Sequence, residues 1–227
     1  MTDLVRSAAW LARDLATAAR LQAEGVLRLE SPDDFASGSR RPVLAVPGVY
    51  ETWRFMLPLV RLLHKRGHPV HVLPDLAHNS RPIADSAELV MSIVERLDLE
   101  DVFVVAHSKG GLIGKYAMVL LDPAERITRM LAVATPFSGS RLATIAPSRA
   151  LRAFRANDPV TQLLVAEAEV NSRITSIYPA QDPLVPEGSE LPGADNIRLP
   201  IGGHWAPIVH PTTLAVAVAL AGDEPLR

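Results

Sequence analysis

From Pro42 onward the chain alternates short, uninterrupted apolar runs with helical stretches, and this alternation constrains the fold more than any other feature. Val43 to Val46, Val70 to Leu73, Val102 to Ala106, Ile127 to Ala134 and Ile174 to Tyr178 are β-rich runs of strand length. Asn196 to Ile201 reads as a last short strand. Most of these runs are apolar throughout rather than at every second residue, the pattern of strands covered on both faces. Helical stretches fall between them at about 52–66, 83–98, 111–121 and 160–170, with a last one at 211–221. Strand and helix in turn imply an α/β architecture: a mostly parallel central sheet, right-handed crossovers, and helices on both faces. In such sheets chemistry collects beyond the carboxyl ends of the strands.

Composition narrows the possible chemistry. The 227 residues, 48% of them hydrophobic, suffice for one domain with a substantial core. Twenty-three basic against 25 acidic residues give a formal charge of −2, which argues against a nucleic-acid binder relying on a broad basic field. The absence of cysteine removes disulfide scaffolds, thiolate metal sites and cysteine nucleophiles. No metal site is expected. Of the basic residues only Lys65, Lys109 and Lys115 are lysines.

Residues 1–40 stand apart as an amphipathic helix and linker preceding a domain at 41–227. Over residues 3 to 24, Leu4, Ala8, Leu11, Leu15 and Ala18 fall on one face at helical spacing, with Arg6, Arg13 and Arg20 beside them. Such a helix suits packing on the domain, a homo-oligomer contact, or weak binding to a membrane surface. A turn-rich segment from Ser31 to Ser39 closes it. Arg6, Arg13 and Asp14 interrupt the apolar stretch that a signal peptide needs. The longest apolar-rich run, Leu214 to Ala221, is far short of the ~20 residues a bilayer demands. A cytoplasmic location is the expectation.

The strand Val102 to Ala106 runs directly into His107-Ser108-Lys109-Gly110-Gly111 and then a helix. A serine on a sharp strand-to-helix turn, with small residues two positions to either side, is a nucleophile elbow. The turn strains the serine backbone and lifts its hydroxyl above the sheet. Strand and helix nearly touch there, so only small residues fit, here Ala106 and Gly110. A serine hydroxyl also needs a base, and the base an orienting carboxylate. Asp182 follows the strand ending at Tyr178, and His204 follows the last short strand, in the order serine, acid, histidine. Asp75 and Asp158 fit less well as the acid, and His210 is the main rival as the base. His64, His68, His71 and His78 precede the elbow and read as surface or structural residues. His107, adjacent to the serine, should point away from the catalytic face.

A tetrahedral oxyanion needs two donors. The backbone N–H of Lys109 is one; that of Val49 in Pro47-Gly48-Val49-Tyr50 is the other, with Tyr50 the runner-up. Tyr50, Phe137 and Trp205 are the expected substrate contacts. The Lys109 side chain should sit solvated on the rim, or else meet an anionic substrate group or the Asp182 loop.

These pieces resemble the α/β-hydrolase superfamily, in particular bacterial lipases and esterases with an Ala-His-Ser-x-Gly-Gly elbow. The resemblance spans residues 41 to 221. It is carried by Val46-Pro47-Gly48, Ala106 to Gly111, Thr135-Pro136-Phe137-Ser138-Gly139-Ser140, Asp182 to Pro186 and Gly203-His204. It implies a cofactor-independent serine hydrolase acting on a small-molecule ester or lipid through an acyl-enzyme on Ser108, with His204 as base and Asp182 as its partner. An acyltransferase using the same triad, or a non-catalytic binding protein on the same fold, are the alternatives. The chain departs from the pattern at Pro47, where lipases usually carry histidine, and in the helix at 3–24, which has no counterpart. Residues 141–170 form a short lid-like insertion. Its Leu142, Ile145, Leu151, Phe154, Val160, Leu163, Leu164 and Val165 suit either an acyl pocket or a cover for the sheet.

Overall fold

A computed structural model describes residues 2–27 and 30–222. Six parallel strands form one sheet in the order β2-β1-β3-β4-β5-β6. They are β1 (Val43–Val46), β2 (Val70–Val72), β3 (Val102–His107), β4 (Ile127–Val133), β5 (Ile174–Gln181) and β6 (Asp195–Gly202). Every residue of β1 and β3 is buried, as their unbroken apolar character requires. Within β3 the period-2 rule divides the side chains. Val102, Val104 and Ala106 enter one core with α3 (Ile83–Arg96), α4 (Lys109–Tyr116) and Leu164 of α6 (Pro159–Ala166). Phe103 and Val105 enter the other core with α2 (Leu57–His64) and α7 (Pro211–Gly222). Each Val, Leu or Ile side chain so buried contributes about 1.5–3 kcal/mol.

Glycine lets the elbow helix approach β1. A Cβ at Gly110 would lie 2.2 Å from the Val46 carbonyl oxygen, and one at Gly111 2.1 Å from Thr135 Oγ1. The helix after the elbow ends earlier than its periodicity suggests, relaxing into a π-helical turn over Ala117–Leu121. The insertion at 141–170 consists of a 3₁₀ turn (Arg141–Thr144), the one-turn α5 (Arg149–Arg152) and α6.

The N-terminal helix α1 (Thr2–Leu27) lies against the 3₁₀ turn Trp53–Met56, β6 and the 3₁₀ turn Ala206–Val209. Its docked face differs from the aliphatic stripe anticipated. Leu11 and Leu15 are exposed, whereas Asp14 and Leu21 are buried, and Trp10 covers Gly202. The side chains of Leu4 and Arg6 fall outside the described residues. The stripe loses because Asp14 makes hydrogen bonds with the loop after β6, which orient the helix more strongly than two leucines can. Among the described residues no helix is long and apolar enough to cross a membrane.

Candidate active site

Ser108 occupies the turn between β3 and α4 with φ 50° and ψ −118°. This conformation is sparsely populated for residues other than glycine and costs about 1–3 kcal/mol. The Ser108 N–H donates to the Val133 carbonyl, anchoring the turn to β4. From there the hydroxyl lies 2.9 Å from His204 Nε2. On the other side of the ring, His204 Nδ1 donates to Asp182 Oδ2 at 2.7 Å. Asp182 is fixed in turn, because its Oδ1 accepts the N–H groups of Leu184 (2.8 Å) and Val185 (3.0 Å). All three side chains are buried. The rival residues lie elsewhere: Asp75 is exposed, Asp158 caps α6, and His210 Nδ1 accepts the Thr212 N–H. His68 is structural, its Nδ1 hydrogen-bonded to the Arg41 carbonyl.

A cavity of about 150 Å³ opens beside Ser108 and His204. Val49, Pro136, Leu142, Leu151, Phe154 and Leu184 supply much of its apolar wall. The insertion contributes both to the wall of this cavity and to the cover of the sheet. Leu142, Leu151 and Phe154 line the cavity, Leu164 covers the sheet, and Ile145, Leu163 and Val165 remain exposed. Tyr50, Phe137 and Trp205 do not line this cavity. Phe137 is packed in the core, the Tyr50 hydroxyl bonds Ser148 Oγ at 2.6 Å, and the Trp205 indole N–H donates to Glu51 at 3.1 Å.

Lys109 departs from both of its expected settings. Its side chain is 1% exposed, and Nζ donates to the Asn79 carbonyl (2.8 Å), to Asn79 Oδ1 (3.1 Å) and to the Arg81 carbonyl. Asn79 Nδ2 in turn donates to the Pro47 carbonyl at 2.7 Å. The ammonium thus ties the elbow helix to the loop after β1. Burial depresses its pKa to about 8, opposed by the charge of Asp85. Below about pH 8 the protein keeps a buried ammonium. As pH rises from there towards the ordinary lysine value, the unfolded chain retains more protons than the folded one, so this group's contribution to stability increases. Lys109→Met is expected to destabilise the fold by about 1–3 kcal/mol by orphaning these oxygens. Its effect on neutral and anionic esters should be equal; a selective loss on anionic esters would return Lys109 to the substrate.

The residue the sequence reading missed is Glu51, whose buried carboxylate gathers three parts of the site. Its Oε2 accepts the Gly48 N–H at 2.7 Å and His107 Nδ1–H at 2.9 Å, while Oε1 accepts the Trp205 indole. A Cβ at Gly48 would stand 2.8 Å from Glu51 Oε2, so a larger residue there would displace the carboxylate. His107 Nε2 faces the His204 carbonyl at 3.1 Å. Both ring nitrogens therefore meet acceptors, and only the imidazolium supplies two donors. Burial works against that charge, but Glu51 and the His204 carbonyl outweigh it and raise the His107 pKa. Strand alternation does send His107 to the face of β3 opposite Ala106, as expected. It does not take His107 away from the site, because the His204 loop descends on that same face, with the two rings 5.0 Å apart. One sequence sign was available: a histidine before the serine and a glutamate three residues after Gly48.

A parallel sheet in this order, with a strained serine after a central strand and acid and histidine on later loops, is the α/β-hydrolase fold. Solved structures of a lipase and of a lipolytic enzyme share it. A Bacillus licheniformis lipase in its propeptide form is 15% identical, with a TM-score of 0.62 over 80% of this chain, which spans half the length of that protein. One of two metagenome-derived lipolytic enzymes is 17% identical, with a TM-score of 0.63 over 83% of this chain and 96% of that one. The fold also accommodates a putative non-heme bromoperoxidase from Mycobacterium tuberculosis, 16% identical, with a TM-score of 0.61 over 82% of this chain and 93% of that one. No family model matches the sequence, and no curated protein matches it.

Proposed function

We propose that the protein is a serine hydrolase that cleaves carboxylic esters with a short apolar acyl group. The observation carrying this reading is the continuous hydrogen-bonded chain from Ser108 through His204 to Asp182, opening on an apolar cavity. Ser108 Oγ attacks the ester carbonyl while His204 Nε2 takes its proton. Asp182 holds the ring through Nδ1 and stabilises the imidazolium. The N–H groups of Val49 and Lys109 receive the oxyanion. Among the described residues neither donates to a backbone carbonyl outside helices and strands, and the Glu51 bond to Gly48 stiffens the Val49 loop. His204 then returns the proton to the leaving alcohol and activates a water that releases the acyl group from Ser108.

The size of this half-open cavity guides the expected acyl length. An apolar cavity of about 150 Å³ accepts a group near the size of benzene. In a series of p-nitrophenyl esters, kcat/KM is expected to peak at acyl chains of about four to six carbons and to fall for longer ones. A rate still climbing at twice that length would reject this assignment of the acyl site. Product analysis with competing alcohols separates hydrolysis from acyl transfer, and labelling of Ser108 by a fluorophosphonate separates either from a non-catalytic binding role.

A further inference from the structure

The N-terminal helix reaches the candidate site through one side chain. Asp14 is fully buried, and its carboxylate accepts three consecutive backbone N–H groups: His204 on Oδ2, and Trp205 and Ala206 on Oδ1, each at 2.8 Å. Burying a carboxylate is costly unless its lone pairs are filled by strong donors. Among the described residues no cation pairs with Asp14, so the loop bearing His204 supplies that compensation. The loop is shaped to receive the helix. Gly203 has φ +122°, and a Cβ there would lie 2.4 Å from Asp14 Cγ and Oδ1. A Cβ at Gly202 would lie 2.4 Å from the Trp10 ring. Leu21, two turns beyond Asp14, is buried in the core beside α2 and α7 and anchors the helix.

These contacts have a direct consequence for the base. The N–H of His204 is held by Asp14 and its carbonyl by His107, so both polar groups of its backbone end on buried ionisable side chains from distant parts of the chain. We propose that Asp14 is a positioning residue and α1 a built-in strap that places His204 against Ser108. The proposal rests on the serine-hydrolase reading for its effect on rate. Asp14 acts through the loop, and no described residue of α1 lines the cavity beside Ser108. Its loss should therefore misplace the base and spare substrate binding. A displacement of about 1 Å in a reacting group can cost a hundredfold in rate.

The test uses Asp14→Ala and Asp14→Asn in the full chain. Steady-state kinetics with a p-nitrophenyl ester are read beside far-UV circular dichroism and residue-resolved amide exchange. The expected result for Asp14→Ala is a fall in kcat of about a hundredfold, with KM within about threefold of wild type. Amide exchange should accelerate at residues 204–206 while the sheet remains protected. Asp14→Asn keeps the shape and one accepting oxygen, so it should fall between the two, and it carries the test if the alanine variant does not fold. A folded variant with wild-type kcat would overturn the proposal. So would a loss that merely tracks the unfolded fraction and vanishes on cooling. If the wild-type protein hydrolyses no ester and Ser108 resists fluorophosphonate, the hydrolase reading fails. Amide exchange then decides alone: faster exchange at 204–206 supports the strap, and unchanged protection rejects it.

Discussion

Ser108→Ala is expected to lower kcat by about 10⁶-fold, the loss seen when a nucleophilic serine is removed from a triad of this kind. The chain has no cysteine, and among the described residues lining the cavity the other hydroxyl, Ser140 Oγ, is committed to the Leu184 carbonyl. The loss should come without a loss of fold. Alanine fits the elbow, and the backbone bonds that hold the turn, from Ser108 N–H to Val133 and from Gly111 N–H to Ser108, do not involve the hydroxyl. Ser108→Gly separates strain from chemistry. Glycine adopts φ 50° and ψ −118° without a Cβ clash, so that variant should be as inactive as the alanine one. It should also be more stable than alanine by about 1 kcal/mol, which for a chain of this length raises Tm by about 2–4 °C. Thermal unfolding of the three proteins measures this directly. An alanine variant with substantial turnover would reject the mechanism, and equal Tm values for alanine and glycine would remove the claim of stored strain.

The second large effect concerns Glu51. Glu51→Ala leaves the His107 imidazolium buried with one acceptor and orphans the Gly48 N–H and the Trp205 indole N–H. Removing one partner of a buried ion pair costs about 3–5 kcal/mol, so urea unfolding should show a midpoint well below that of wild type. Activity should fall as well, because the loop carrying the proposed Val49 oxyanion donor loses its brace; removing one such donor costs about 10²–10³ in kcat. The pH dependence distinguishes a charged pair from simple packing. The folded-state pKa of His107 is raised, so its contribution to stability is complete below the ordinary histidine pKa of about 6.5. It is lost as pH rises through the higher folded value. Glu51→Gln retains the shape without the charge, and its stability should therefore decline less steeply than wild type above about pH 6.5. The same slope in both proteins would show that His107 is neutral in the fold.

The contrast between Lys109 and Glu51 illustrates how far a sequence can be read. Both sit within three residues of a motif that was recognised. The backbone role proposed for Lys109 follows from its place after the serine, whereas its side chain leaves the site for the carbonyls of Asn79 and Arg81, some 30 residues earlier. Glu51 carried only a weak local sign, its place three residues after Gly48, because its other partners His107 and Trp205 lie 56 and 154 residues away. Likewise Leu11 and Leu15 made the more apolar stripe on α1, yet Asp14 chose the docked face. Hydrophobic periodicity registers the average pull of a core and is blind to a single carboxylate that finds three N–H groups.

What the sequence by itself determined is whatever depends on neighbours along the chain. Short β-branched apolar runs bounded by turns read as doubly covered strands, a serine with Ala106 and Gly110 two positions to either side fits a tight strand-to-helix turn, and the order of Ser108, Asp182 and His204 limits where each can stand. Element ends shifted by a few residues, as at the π-helical turn after Tyr116, because caps and tertiary contacts rather than periodicity terminate helices. Only the tertiary structure decided which face of α1 is buried, where the Lys109 ammonium goes, and how Glu51, His107 and Asp14 clamp the loops around Ser108. The physical reason is common to all of them. A buried charge is stable only where enough hydrogen-bonding groups converge on it, and that convergence comes from segments as far as 192 residues apart, brought together by the packing of the sheet and its helices.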